Sequence, residues 1–228
     1  MSIPLAIESL PGITPVLKEA LATLDLVRAH RVHRRHKGEF VSATWAASAR
    51  ALADFTGCSS AAALSLIDAA AGVGIAREPQ RALAALHVIA TSEDSTMERG
   101  TPRLEVSPDR LIALNEILVA EGSSVVVAAL LIAEVESMPL FASRNTEVAL
   151  VGARAVLIER GADPDGIASL ERGIALLGSP SYRLALKRYE EGTEEALVSW
   201  LTYISKAIEV GAQSAFEIAD AIQDSTTK

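Results

Sequence analysis

Apolar residues recur at helical spacing over most of the chain, and strand-like alternation is almost absent. In "PVLKEALATLDLVRAHRVHRRHK", residues 15–37, Leu17, Leu21, Leu24 and Val27 fall near one helix face. A second helix is expected over about 41–55. Ser59 or Ser60 then caps "AAALSLIDAAAG", which closes at Gly72. Pro79 suits the first turn of "PQRALAALHVIAT", and Ser107 with Pro108 opens "SPDRLIALNEILVAEG". Two later runs, "SSVVVAALLIAEVES" and "NTEVALVGARAVLIERG", are apolar on nearly every face, so both read as central helices. A connector, "ADPDGIASLERGIALLG", leads to a helix started by Ser179 and Pro180. Thr193 caps a long final helix from Glu194 to about Gln223. The polar segment "SEDSTMERGTPRLEV" is the one place for a short hairpin, with any strand confined to 98–106. Strands do not alternate with helices, no fixed-period repeat is present, and "GVG" at 72–74 ends a helix instead of following a strand. The expected class is all-α.

Bulk properties narrow this picture. A chain of 228 residues that is 50% apolar can bury a full core, as one large domain or one domain with an extra helical layer. Aromatic residues are only 4%, which suits closely packed helices better than a strand-rich sandwich. Cys58 stands alone, so no intrachain disulfide can form, and the chain fits a reducing compartment. The opening "MSIPLAIESLPGITP" lacks a basic start and holds three prolines, unlike a signal peptide. The longest unbroken apolar stretch, 125–133, is too short to span a bilayer, so a soluble cytoplasmic protein is expected. Residues 1–50 hold seven Lys/Arg against four Asp/Glu, and the remainder fourteen against twenty-five, within a net charge of -8. An acidic body argues against general nucleic-acid binding. A mean hydropathy of +0.28 points to a buried interface with a protein partner or a second copy of the chain.

Candidate chemistry is sparse. The basic run "RAHRVHRRHKG", 28–38, carries His30, His33 and His36, whose steps of three drift around a helix and do not stack. Without a Cys or carboxylate at matching spacing it makes a poor metal site, and it reads as a solvated helix end or an anion-binding face. His87, within "AALHVIA", reads as a buried, hydrogen-bonded histidine. Nothing resembles a nucleophile elbow or a Cys paired with a base. The turn "MPLFASRNTEVAL", 138–150, is the most informative segment. Ser143, Arg144, Asn145 and Thr146 precede a helix, whose free N–H groups and positive pole suit an anion. Alternatively, Ser143, Asn145 or Thr146 simply caps that helix and Arg144 points to water.

The order of an apolar helix, this turn and a second apolar helix resembles the core of a Fic (Fido) domain, whose active members carry HPFx(D/E)GNGRxxR in the loop. In "PLFASRNTEVAL", Phe141 and Asn145 match the motif's Phe and Asn. "LVGARAVLIERGADP" is similar to the second motif helix, "SYRLALKRYEEGTEEALVSWLTYISKAIEVGAQSA" to the closing helices, and "ERGTPRLEVSPDRLIALNEIL" to the flap and its following helix. The likeness runs from about Pro79 to Ala215. It implies a Fic-like domain over 77–224 behind a helical extension, 1–76, packed as one unit.

Fic chemistry transfers AMP, or a related phosphate-bearing group, to a protein hydroxyl, and the departures bear on every part of it. Pro139 (or Met138, with the loop shifted by one) stands where the general base belongs, and Ser143 replaces the acidic metal ligand. Arg144 and Thr146 replace the glycines, while Glu147 and Leu150 replace the arginines. The inhibitory pattern (S/T)xxxE(G/N) is absent from the sequence. The resemblance therefore implies a catalytically inactive protein without a cofactor or metal, acting as a binding, regulatory or scaffold module. The alternative is a divergent transferase or anion-binding enzyme that uses Ser143, Arg144, Asn145 and Thr146.

Overall fold

Ser59 and Thr193 start helices as their sequence context predicts, accepting the amide protons of Ala62 (3.0 Å) and Ala196 (3.1 Å). The computed structural model describes residues 2–95 and 98–226, and these contain twelve helices and no strand. The helices are α1 (Ile3–Glu8), α2 (Ile13–Ala29), α3 (Arg31–Arg35), α4 (Lys37–Thr56), α5 (Ser60–Ala69) and α6 (Pro79–Ala90). There follow α7 (Pro108–Val119), α8 (Ser124–Ser137), α9 (Asn145–Glu159), α10 (Leu170–Leu177), α11 (Ser179–Tyr189) and α12 (Glu194–Thr226). No helix among the described residues is long and apolar enough to cross a membrane.

Four segments depart from the sequence expectation. The proline-rich lead forms α1, because Pro4 falls in the first turn, where its missing N–H is not needed. The expected helix over 15–37 breaks at His30, whose extended backbone (ψ 141°) ends α2 and caps α3 through Nδ1 and Val32 N–H. The connector after α9 contains α10. The segment 98–106 forms turns, not a hairpin, tied to the loop after α8 by Arg103 N–H donating to Leu140 O at 2.9 Å.

The hairpin of α8 and α9 fills the centre. Every residue from Ser124 to Ala133 is buried, as is every residue from Glu147 to Leu157, as their all-round apolar pattern predicts. At their contact, a Cβ on Gly152 would lie 2.9 Å from Leu131 Cδ2, so any larger residue there would have to displace the end of that leucine. α6 packs on α9 and α7 on α8, while α12 runs along α2, α10 and α11. Trp200 of α12 is fully buried and donates Nε1–H to Ala129 O of α8 at 2.8 Å.

Charged groups inside this core serve as clamps. Arg154 of α9 pairs with Glu171 of α10 (3.1 Å), donates to Ser48 Oγ of α4 and to Gly166 O, and lies over the Trp45 ring. Burial pushes the Glu171 and Asp163 carboxyls up. Glu159 accepts three backbone N–H groups, from Gly74, Ile75 and Ala76, at 2.8–2.9 Å. Arg160 caps the last carbonyls of α7 at Leu118 and Ala120.

Candidate functional site

The loop 138–144 turns the chain from α8 into α9. Asn145 closes it: its Oδ1 accepts Phe141 N–H at 2.8 Å, and its Nδ2 donates to Phe141 O at 2.9 Å. Asn145 therefore braces the loop instead of capping the helix. The N-cap position falls on Arg144, in left-handed backbone (φ 58°), and no side chain caps α9 there.

Arg144 is held by carboxylates. Its guanidinium binds both oxygens of Asp94 (2.8 and 2.9 Å) and donates to Glu147 Oε1 at 3.1 Å. The hydrogen bond to Arg144 holds the Asp94 carboxyl below its usual range. Glu147, at the position resembling the first motif arginine, is 3% exposed. Behind the turn, burial pushes the Glu136 carboxyl up against hydrogen bonds from Thr146 and Tyr182 that lower it. Carboxylates thus surround the positive pole of α9. An external anion would have to part Arg144 from Asp94 and Glu147 and then sit beside Glu136, so the local field opposes it.

His87 of α6 completes the floor. Its ring stacks on Phe141, with centroids 4.1 Å apart and planes 4° apart. Nδ1 accepts Gly100 N–H at 2.9 Å, and burial lowers the ring's pKa. The neutral imidazole thereby links segment 98–106 to the loop. Pro139, where the resemblance places the base, is exposed, and Ser143 is half-buried.

The structure thus brings Ser143, Arg144, Asn145 and Thr146 together in the expected turn. It adds Asp94 and His87, which the sequence did not tie to it. Asp94 reaches the turn from the loop after α6 and His87 from α6 itself. Periodicity reports that the His87 face is buried but not which loop it meets, and the reading of His87 as buried and hydrogen-bonded agrees with its surroundings. The three histidines of the basic run take different places: His33 contacts Asp165 at 2.9 Å, His30 caps α3, and His36 stands between α3 and α4. Among the described residues, no group of three or more His, Cys, Asp or Glu side chains could hold a metal ion. Neither a known family model nor a curated protein sequence matches the chain.

Proposed function

We propose that the chain is a catalytically silent, Fic-like helical protein that works as a binding or regulatory module. The observation that carries this reading is the commitment of Arg144 to Asp94 and Glu147 at 2.8–3.1 Å. In a phosphoryl- or nucleotidyl-transfer loop a free cation faces the substrate's phosphates. The resemblance puts Glu147 at that arginine's position, and the cation of this turn is Arg144, at a glycine's position. Here it closes the turn on itself, beside Pro139, which can take no proton, and Ser143, which brings no carboxylate to a metal. The helix order from α6 to α12, with the turn joining the two most buried helices, supports the resemblance on which the reading rests.

Calorimetry with ATP and Mg²⁺, followed by transfer assays with labelled ATP, tests it directly. The expected outcome is no saturable heat up to about 1 mM nucleotide, a weak-binding limit of roughly 4 kcal/mol. No label should enter the protein or a test substrate. Label incorporated above a heat-denatured control would overturn the silent reading.

A further inference from the structure

A concavity lies away from the turn, between α1, α7, α8 and the α11–α12 turn. Its volume is about 790 Å³, within the range of about 300–1,000 Å³ typical of small-ligand sites. Its apolar walls come from Ile3 and Ile7 of α1 and from Leu10 just beyond its end, with Ile117, Leu130 and Leu197 opposite. The polar side is unbalanced: Glu134, Glu190 and Glu194 face one cation, Arg110. Arg110 is held loosely, about half exposed, with 3.3 Å to Glu134 Oε2. Glu134 Oε1 is better engaged and accepts the Tyr189 hydroxyl proton at 2.6 Å. α8 ends at Ser137 and α11 at Tyr189, so two negative helix poles point toward this side. α12 starts here too, but Glu194 and Glu195 in its first turn offset its positive pole.

We propose that this cleft binds an amphiphilic cation, with an apolar chain along α1 and α7 and an ammonium head among Glu134, Glu190 and Glu194. The walls supply the hydrophobic attraction. The excess of carboxylates selects the sign of the head, and the Tyr189 ring adds a face for it. Arg110 can swing outward as the head takes its place beside Glu134. This inference is independent of the silent-loop reading, because it uses no residue of the 138–147 segment.

The test is calorimetry with decylamine and decyltrimethylammonium, below their micelle concentrations, against decanol and decanoate. Both cations should bind with one-to-one stoichiometry, and decanoate at least about tenfold more weakly, a difference of about 1.4 kcal/mol. The exposed double substitution Glu190→Gln with Glu194→Gln should weaken cation binding several-fold and leave decanol unchanged. Ala113→Trp, which fills the cleft, should abolish binding while far-UV circular dichroism stays that of the parent. Decanoate or decanol binding as tightly as the cations would overturn the proposal. So would cation binding unaffected by the double Gln variant, which keeps the test decisive if the Trp variant fails to fold.

Discussion

Arg144 shows how a residue's chemistry is decided by groups far away in sequence. Left-handed backbone costs a non-glycine residue about 1–2 kcal/mol, and Arg144 bears it because its guanidinium ties Asp94 to Glu147. Arg144→Ala removes both pairs and leaves Glu147 buried without its cation, so urea unfolding should show a loss of about 2–4 kcal/mol. Arg144→Gly loses the same pairs but suits the backbone, and its loss should be about 1 kcal/mol smaller. Equal losses would mean that the φ angle is not strained. His87 carries a pH dependence. Burial holds its pKa below the ordinary 6.5, and Nδ1 must be unprotonated to accept the Gly100 N–H. The unfolded chain therefore takes up this proton more readily, so the contribution is complete above pH 6.5 and declines as the pH falls below it. Thermal midpoints should drop further between about pH 7.5 and about pH 5.5 in the parent than in His87→Gln. Matching drops would remove His87 as the cause. The turn was legible in "ASRNTE", but its partners were not. Asp94 lies fifty residues upstream of Arg144, and helical spacing reports which faces are buried without saying which loops meet.

Among the elements, the legible ones had strong periodicity or unambiguous punctuation. α6 and α7 begin at the prolines that mark them, and α8 and α9 are buried all round, as their composition requires. The break at His30 carries neither Gly nor Pro, so nothing in the residues distinguishes it from continuing helix, whereas the one at His36 falls beside Lys37, where the helix expected over 15–37 ends. α10 was hidden because Pro164 and Gly166 precede it and Gly173, a weak helix former, sits inside it. That glycine is there for packing. A Cβ at Gly173 would fall 1.8 Å from Ala207 O, and one at Gly211 2.3 Å from Ala168 O, so α10 and α12 meet backbone to backbone. Gly173→Ala and Gly211→Ala should each cost more than about 3 kcal/mol, or prevent folding, although alanine is the better helix former. Gly38→Ala, with open space around it, should be neutral or slightly stabilising. Chemical denaturation of the three variants checks the contrast, and two tolerated alanines would place α10 further from α12. In the central hairpin, Leu131 is fully buried against Gly152, and Leu131→Ala should cost about 2–5 kcal/mol.

For the molecule as a whole, the question is whether 1–76 is an appendage or part of the unit formed with 77–224. One cluster of buried side chains runs from Ile7 to Ile222 and draws on helices from both segments. α2 packs along α12 and α4 against α10. The Arg154 clamp crosses the same boundary through Ser48 and Trp45. Splitting the segments would expose these faces and leave the buried Glu171 with an altered partner set, so the physical expectation is a single cooperative transition. The chain carries its own reporters. Trp45 belongs to the first segment, with Nε1–H donating to Asp165 O at 3.0 Å, and Trp200 to the second, fully buried against α8. In Trp45→Phe the fluorescence of Trp200, and in Trp200→Phe the fluorescence of Trp45, should each follow the circular dichroism of the same variant through one urea midpoint. The Trp200 variant should melt earlier overall, because it loses a large core ring and its hydrogen bond. A Trp45 signal that changes well before the helical signal would identify 1–76 as a unit that unfolds by itself. Coincidence in both variants would make the extension part of the scaffold on which the turn and the cleft are built.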